Sequence, residues 1–312
     1  MTKENIFRKR IEPRNKAVFI SGCDSGFGNL AARRLDYMGF TVLAGCYFSD
    51  QGGAAELVNC CSDRLKLVQI DVADDDSVEK AKHFIEKNLG YNDLWSVVNN
   101  AGVYKGLDIE FTQLSDFKEV FDVNTFGQVR VTKALLPLLK KCKGRVINVN
   151  SMAGRHPSAH MAAYAMSKHA SVAFTECLRQ EMEDWGVQVI SVEPDFFKTP
   201  LTDTTNIRSY LKHFFSMLDE KTKEDYGQQY LEKTSLMMEK TFGVVSSSKI
   251  ELVTKAIEKA VTARNPCLNY KPCGSMVRRI GFYVAENVDC FLELFLKVYF
   301  GLWGIPKPKH AR

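Results

Sequence analysis

Short apolar, β-branched runs alternate with longer segments of helical periodicity over the first 200 residues. Each run is long enough for one strand, and each intervening segment predicts a helix. Strands that are apolar on both faces are typical of a parallel sheet covered by helices on both sides. We therefore predict an α/β fold built on one doubly wound parallel sheet. The predicted strands are 17–21, 41–46, 65–70, 94–99, 145–150 and 187–192.

The pattern after residue 200 is helical and rich in large apolar side chains. Any one of them is typical of a packed core, but together they favour an apolar pocket wall. Because ligands bind beyond the carboxyl ends of parallel strands, we predict a substrate lid at about 200–245. The apolar positions are Tyr210, Leu211, Phe214, Phe215, Leu218, Met237, Met238 and Phe242.

The stretch 280–305 is strongly apolar, but it carries too many charges to span a bilayer. Its charges form one narrow stripe on the predicted helix. Peripheral contact with a membrane, packing over the pocket and packing against another subunit all remain open. The stripe consists of Glu286, Asp289, Glu293 and Lys297. Weak support for an anionic membrane surface comes from Lys307, Lys309 and Arg312.

The composition fits one enzyme-sized domain: of 312 residues, 45% are hydrophobic and 25% are charged. No repeat or low-complexity linker divides the chain. We predict a basic N-terminal extension at 1–15, a main domain at 16–272 and an apolar helical extension at 273–312. The net charge of +5 is scattered, so a nucleic-acid partner is not expected.

The first sixteen residues are basic, but Glu4 and Glu12 interrupt them and no apolar stretch follows within the segment. We therefore expect no secretory signal peptide. The nine cysteines and six histidines show no metal-ligand spacing, so we expect free thiols and no metal. An intracellular, reducing location is expected, either cytoplasmic or peripheral on an endoplasmic reticulum or mitochondrial membrane.

Tyr164 and Lys168 are four residues apart on a predicted helix, so the phenol and the ammonium share one face. A neighbouring cation favours the phenolate and lowers the tyrosine pKa from its usual ~10. Ser151, thirteen residues upstream, offers a hydroxyl to hold a substrate oxygen. Such a pair also arises by chance on solvated helices, so its weight depends on other motifs.

A glycine-rich turn, Gly22-Cys-Asp-Ser-Gly26-Phe-Gly28, follows the first predicted strand and leads into a helix at 29–39. In this order, backbone N–H groups and a helix N-terminus can face a pyrophosphate. Glycines mark any tight turn, however, so the turn alone is weak support. Asn124 falls among apolar residues on a helix predicted at 116–141, and a buried amide there must be hydrogen-bonded.

Together with Asn99-Asn-Ala-Gly102, these motifs at their mutual spacings resemble the short-chain dehydrogenase/reductase family. The motifs cover residues 15–200, and a looser likeness runs to about 272. The glycine turn and the Ala-Gly-Cys after the second strand are similar to one branch, which holds retinol, 17-beta-hydroxysteroid and 3-hydroxybutyrate dehydrogenases. The resemblance implies a single Rossmann-type sheet, and we also expect a homo-oligomer.

The resemblance further implies an NAD(P)-dependent enzyme that interconverts a hydroxyl and a carbonyl by hydride transfer. Tyr164 would act as general acid/base, and Ser151 would steady the oxyanion. Lys168 would lower the Tyr164 pKa and bind the nicotinamide ribose, while Asn124 would position a water that links the lysine to solvent. An epimerase or dehydratase and a nucleotide-binding scaffold are the other function classes.

The cofactor is predicted to be NAD, with NADP left open. Many NAD-binding members carry an acid where this chain has Cys46, and no Arg or Lys occurs in 46–50 to pair with a 2′-phosphate. Asp24 would repel such a phosphate. The predicted cofactor contacts are Gly22, Asp24, Ser25, Gly26, Phe27, Gly28, Cys46, Asp71, Val72, Asn99, Ala101, Gly102, Tyr164, Lys168, Phe197 and Thr199.

The resemblance assigns specific roles to two of these residues, Asp71 and Thr199. Asp71 resembles the family's adenine contact, but an Asp that caps the loop before the next helix is equally expected. Thr199 matches the residue that contacts the nicotinamide carboxamide in relatives. Five residues before it lies a departure, because this chain has Pro194-Asp195 where the family usually has Pro-Gly.

The apolar lid predicts an apolar substrate, and the resemblance to this branch implies one of the steroid or retinoid type. A 3-hydroxybutyrate-type hydroxyacid is the alternative. Such an acid would require a fixed cation or several donors near the chemistry. The candidates by sequence position are His156, His160 and Lys198.

Overall fold

The computed structural model describes residues 10–287, 298 and 301–305. These residues form a seven-stranded parallel sheet with the spatial order β3-β2-β1-β4-β5-β6-β7. The strand order reverses between β1 and β4, as in doubly wound sheets, and the predicted fold class is confirmed. The strands are β1 Lys16–Ile20, β2 Thr41–Cys46, β3 Leu65–Gln69, β4 Asp93–Asn99, β5 Arg145–Val149, β6 Gln188–Val192 and β7 Asn269–Tyr270.

Helices cover both faces of this sheet. The helices are α1 Gly26–Tyr37, α2 Gly52–Cys60, α3 Asp75–Asn88, α4 Leu114–Phe121, α5 Gly127–Cys142, α6 Ala162–Glu181, α7 Thr204–Ser216, α8 Glu220–Tyr226, α9 Gln228–Val245, α10 Glu251–Thr262 and α11 Met276–Asn287. One apolar core packs α1 and α10 against the sheet, and another packs α3, α5 and α6 against the opposite face. Burial on both faces explains why the strands are continuous apolar runs.

The helix predicted at 116–141 is interrupted by a π-helical turn, Asp122–Phe126, between α4 and α5. Two hydroxyls join this turn to α6: Ser171 Oγ on α6 donates to the Asn124 carbonyl at 2.9 Å, and Thr125 Oγ1 in the turn donates to the Ser167 carbonyl at 2.9 Å. A single extra residue in a helix does not disturb an apolar stripe enough to be read from periodicity.

β7 was not predicted, because two residues are too few to carry an alternating pattern. The segment nevertheless extends the sheet past β6, and it brings the chain back to the carboxyl ends of the strands. Asp195 N–H donates to the Pro272 carbonyl at 3.0 Å just beyond this pair. The C-terminal helix α11 therefore begins close to the loop that follows β6.

α7, α8 and α9 occupy the range of the predicted lid and pack on Leu107 and Phe111 from the loop after β4. No helix in the described ranges combines the length and the low charge that crossing a bilayer requires. The predicted charged stripe at 280–305 lies largely outside those ranges. Outside them are residues 1–9, Asp289, Glu293, Lys297, Lys307, Lys309 and Arg312, and the Glu286 side chain is likewise not described.

Candidate active site

A cleft of about 710 Å³ runs along the carboxyl ends of β1, β4 and β5. Its volume is typical of cofactor sites. Of the predicted cofactor residues, those lining it are Gly22, Asp24, Ser25, Gly26, Phe27, Asp71, Val72, Ala101, Gly102, Tyr164, Lys168 and Thr199. The sequence motifs thus meet along one continuous surface, although they are far apart in the chain.

The glycine turn is built for close backbone approach. Gly22 has a φ of +70° and Gly26 a φ of +58°, which favour glycine. A Cβ on Gly28 would lie 2.3 Å from the Gly22 carbonyl oxygen, so Gly28 acts inside the turn and does not line the cleft. The Asn100 amide donates to the Ser21 and Gly22 carbonyls, both at 3.0 Å, and holds the turn against β4.

The N-terminus of α1 begins at this turn. Its N-cap residue, Ser25, makes no side-chain capping hydrogen bond, and the first turn carries no acidic residue. The first N–H groups of the helix therefore face the cleft without a competing carboxylate, which is the arrangement that suits a phosphate. These residues fit the pyrophosphate of a dinucleotide cofactor.

Asp24 closes the far end of the cleft. Its carboxylate accepts hydrogen bonds from the Tyr47 N–H at 3.0 Å and the Phe48 N–H at 2.8 Å. Cys46, the residue before them, is fully buried in the core and does not line the cleft. We therefore correct the expected ribose contact at Cys46, because its thiol points into the protein. The acid at the end of β2 is instead Asp24, which comes from the glycine turn.

The position of Asp71 is compatible with both of the roles expected for it. It lines the cleft, and its Oδ1 accepts the Ala73 N–H at 2.9 Å, so it also organises the loop before α3. Asn99, by contrast, is buried below the cleft, where its amide donates to Thr132 and to Asn148. The predicted cofactor contact at Asn99 is thus replaced by a role in holding β4 to β5.

Tyr164 and Lys168 lie on the first two turns of α6 and are both buried. The Lys168 ammonium donates to the Val149 carbonyl at the end of β5 at 3.1 Å, and its Nζ lies 5.8 Å from the Tyr164 ring centroid. Both side chains line the cleft. The helical spacing therefore delivers the phenol and the amine to the same surface.

Burial dominates the pKa values of this pair. It raises the pKa of Tyr164 to about 12, and the interaction with the Ser151 hydroxyl lowers it only in part. Burial also lowers the pKa of Lys168 to about 8. The Tyr164 pKa is therefore above its ordinary value and not below it, as the expected effect of Lys168 implied, because burial of the phenol outweighs the hydrogen bond with Ser151.

Asn124 sits in the π-helical turn, and hydrogen bonds fix its amide. Its Oδ1 accepts the Val103 N–H at 2.8 Å, while its Nδ2 donates to the Val103 carbonyl at 2.9 Å and to Ser167 Oγ at 3.0 Å. A Cβ on Gly102 would lie 3.3 Å from this Oδ1 and 3.7 Å from Lys168 Nζ. Asn124 and Lys168 thus flank Gly102.

A smaller cavity of about 60 Å³ adjoins the cleft on the side of Ser151 and Tyr164. The Ser151 hydroxyl accepts the Ala153 N–H at 3.1 Å, which fixes its position at the end of β5. Most of the remaining wall is apolar. The side chains concerned are Phe27, Met152, Met161, Phe196, Phe197, Leu201 and Phe242. Phe197, expected at the cofactor, therefore lines this cavity.

Sequence reasoning missed Tyr104, which lines both cavities. Its ring packs edge-on against Tyr164 with centroids 5.7 Å apart, and its hydroxyl donates to the His160 carbonyl at 3.0 Å. The only signal in the sequence was its position two residues after Asn99-Asn-Ala-Gly102, which does not reveal a contact with α6. Asn100, inside that tetrapeptide, was missed for the same reason.

The three cations considered for an acidic substrate do not line the small cavity. His156 stacks on Phe282 of α11 at 5.2 Å, and His160 Nδ1 lies 2.9 Å from Asp108 Oδ1. Lys198 is exposed. Among the described residues, no Lys, Arg or His forms part of this wall.

Comparison with known proteins gives a consistent picture. The family model for short chain dehydrogenases matches residues 16–209. Bovine mitochondrial D-beta-hydroxybutyrate dehydrogenase is 40% identical over 83% of this chain and 77% of its own length. Mouse estradiol 17-beta-dehydrogenase 2 is 40% identical over 95% and 77%, and mouse retinol dehydrogenase 5 is 38% identical over 85% and 83%.

Solved structures share the fold at lower identity. A short chain dehydrogenase from Burkholderia cenocepacia in complex with NADP superimposes with a TM-score of 0.65 at 21% identity, covering 92% of this chain and 99% of that one. A short chain dehydrogenase/reductase from Burkholderia phymatum in complex with NAD gives 0.67 at 20% identity, covering 88% and 94%. Both cofactors thus occur among proteins of this fold.

Proposed function

The chain belongs to the short-chain dehydrogenase family and is an NAD(P)-dependent oxidoreductase of the alcohol dehydrogenase or carbonyl reductase kind, and we propose that it acts on an apolar alcohol or ketone. The observation that carries the substrate class is the wall of the small cavity, which is apolar around Ser151 and Tyr164. The reaction itself requires a proton-transfer group and a cofactor site side by side.

We assign the proton transfer to Tyr164. In oxidation its phenolate takes the proton of the substrate hydroxyl, and in reduction the phenol returns it. Ser151 supports this step because its hydroxyl faces the same cavity and stabilises the developing oxyanion. The bound nicotinamide supplies the other half of the chemistry, by accepting or giving a hydride.

Lys168 is proposed to bind the nicotinamide ribose and, as a buried cation, to stabilise the negative charge that develops during proton transfer. Its ammonium already lines the cleft and is anchored to Val149, so it needs no rearrangement to meet a ribose hydroxyl. Asn124 is proposed to hold the backbone at Val103 and to position a water that links Lys168 to solvent. Its fixed amide supports the segment after β4, next to Lys168.

The volume of the small cavity bears on how a large substrate enters. About 60 Å³ accommodates only the reacting end of a steroid or retinoid. Phe242, on α9, forms part of the wall and packs on Tyr104 and Phe196. A larger molecule must therefore displace this part of the lid.

A substrate panel tests the proposal. Purified protein is incubated with NAD or NADP and neutral steroid alcohols, retinols or 3-hydroxybutyrate, while absorbance of the reduced nicotinamide is followed. We expect kcat/KM for the best apolar alcohol to exceed that for 3-hydroxybutyrate at least ~10-fold, since the wall offers no cation to the acid. Equal or better use of the acid would make the protein a hydroxyacid dehydrogenase.

Two other outcomes would replace the reaction class. Substrate turnover without net reduction of the cofactor would indicate an epimerase or dehydratase. Nucleotide binding without turnover of any alcohol or ketone would indicate a binding scaffold.

NAD is proposed as the preferred cofactor because of Asp24. Its carboxylate occupies the two backbone N–H groups after β2, and it adds a negative charge where a 2′-phosphate would lie. Of the side chains described along the cleft, the cationic ones are Lys105 and Lys168. Lys105 is paired with Glu119, and Lys168 lies at the opposite, catalytic end.

Asp24→Ser should shift cofactor preference toward NADP. The change removes the charge and frees the Tyr47 and Phe48 N–H groups for a phosphate, so the ratio of kcat/KM for NADP to that for NAD should rise at least ~10-fold. Asp50→Ser, an equal change of charge at an exposed position in the same loop, is the control and should leave the ratio within about twofold. An unchanged ratio in Asp24→Ser would refute the proposed role.

A further inference from the structure

Asp195 is a buried acid at the wall of the small cavity, at the position where the family usually has glycine. Its side chain has no solvent exposure. One carboxylate oxygen, Oδ2, accepts a hydrogen bond from Arg278 Nε at 2.6 Å and one from the Cys273 thiol at 3.2 Å. The other oxygen, Oδ1, is buried with no hydrogen-bond partner in the described part of the chain.

The ion pair between Asp195 and Arg278 has a definite orientation relative to the cavity. Arg278 lies on α11, is partly exposed, and approaches Oδ2 from outside the cavity wall. One turn further along the same helix, Phe282 stacks on His156. Two contacts from one face of α11 therefore hold the loops that follow β5 and β6, and the cation is kept behind the carboxylate.

A buried carboxylate oxygen without a donor is uncommon, because each such group loses the hydrogen bonds that water would give. It tolerates a neutral or hydrogen-bond-donating neighbour and repels an anion, and repulsion is strong where water is excluded. Apolar walls alone would reject a carboxylate only through its desolvation. Asp195 adds a fixed charge of the same sign.

We propose that Asp195 is a specificity-determining residue that excludes carboxylate-bearing substrates, its negative charge acting from within the cavity wall while Arg278 holds the carboxylate in place. The inference deepens the proposed function and rests on it, since it explains why a hydroxyacid is disfavoured at this site. It also gives Arg278 a definite role, because its guanidinium holds the Asp195 carboxylate in place from behind the wall.

The test compares two substrates that differ in charge and by one methyl group, 3-hydroxybutyrate and its methyl ester. For the wild-type protein, we expect kcat/KM for the ester to exceed that for the acid at least ~10-fold. Asp195→Asn keeps the shape but removes the charge, so this ratio should fall at least ~10-fold, chiefly through faster use of the acid. Arg278→Gln leaves the carboxylate without its cation, so the ratio should stay at or above the wild-type value.

A binding measurement separates this inference from the dehydrogenase assignment. In thermal-shift experiments with NAD present, hexanamide should stabilise wild-type protein and hexanoate should not, whereas hexanoate should stabilise Asp195→Asn. This readout needs no turnover, so it remains decisive if neither small alcohol is oxidised. If no alcohol or ketone of the substrate panel is turned over but hexanoate stabilises only Asp195→Asn, the proposed reaction is contradicted and the role of Asp195 is not.

Three results would overturn the inference. The first is an unchanged ester-to-acid ratio in Asp195→Asn together with unchanged hexanoate binding. The second is an equal loss of activity on both substrates in both variants, which a purely structural ion pair would produce. The third is a rise in the KM for NAD in Asp195→Asn with no change in the ester-to-acid ratio, which would mean that the Asp195 carboxylate acts on the cofactor and not on the substrate.

Discussion

Tyr164→Phe is expected to lower kcat for alcohol oxidation at least ~100-fold, with little change in cofactor affinity. The substitution removes one hydroxyl from a side chain that is already buried and packed against Tyr104, so the shape of the site is kept. What disappears is the group that exchanges the proton beside Ser151. Steady-state kinetics and NAD titration of the purified variant measure the two quantities separately.

The pH profile gives a second signature of the same residue. Because burial raises the pKa of Tyr164 to about 12, only a small fraction is phenolate near neutral pH. Oxidation by the wild-type protein should therefore speed up as the pH rises from 6 to 7.5, since the phenolate fraction grows about tenfold for each pH unit below the Tyr164 pKa while Lys168, whose pKa is about 8, keeps its charge. The residual rate of Tyr164→Phe should lack this rise.

Tyr226→Phe is a suitable control, because it also removes a phenolic hydroxyl from a packed aromatic side chain. Its hydroxyl donates to Glu110 in the lid region, and it lines neither cavity. Turnover should stay within about threefold of wild type. Wild-type turnover in Tyr164→Phe would contradict the proposed mechanism, and equal losses in both variants would attribute the effect to packing.

Sequence periodicity was sufficient for the sheet because both of its faces are buried. Each of the six predicted strands was found to within about one residue at each end. The lid was harder, since apolar spacing at Leu211 and Phe214 is the same for a core helix and a pocket wall. Only the fold showed that they pack on Leu107 and Phe111.

The sequence located cleft-lining residues well where a motif fixes the backbone, and less well where the direction of a side chain decides whether it reaches the cleft. Gly22 and Gly26 line the cleft because the turn itself requires them. Cys46 illustrates the opposite case. Its position at the end of β2 was read correctly, but strand alternation turns its side chain into the core. Long-range contacts such as Asp195 with Arg278, 83 residues away, leave no local pattern.

Lys168→Met is expected to lower kcat/KM for alcohol oxidation by about 10²–10³, because it removes a preorganised cation from a dry site. Part of the loss should be a higher KM for NAD, since the ammonium is proposed to bind the nicotinamide ribose. Methionine retains most of the volume and the helical preference of lysine, so α6 should be preserved. Lys133→Met, on the exposed face of α5, is the control and should leave kinetics unchanged.

The same substitution should stabilise the protein, and the gain should depend on pH. Burial lowers the pKa of Lys168 from its ordinary 10.5 to about 8. Below pH 8 the folded state carries the full cost of a buried charge. Between about pH 8 and 10.5 the folded state has lost a proton that the unfolded chain still holds, so wild-type stability rises with pH across this window.

Lys168→Met lacks that group, so its advantage should be largest at pH 7 and should shrink toward pH 9.5. The cost of the buried charge is up to about 3 kcal/mol, and loss of the hydrogen bond to the Val149 carbonyl offsets roughly 1 kcal/mol of the gain. Urea unfolding of both proteins at pH 7 and 9.5 measures the difference in their free energies of unfolding. Titration of the groups that both proteins share cancels in this difference. Two outcomes would contradict this prediction: Lys168→Met less stable than wild type at pH 7, or a difference in the free energy of unfolding that does not change with pH. Either would mean that Lys168 is not a buried, destabilising charge in the folded protein.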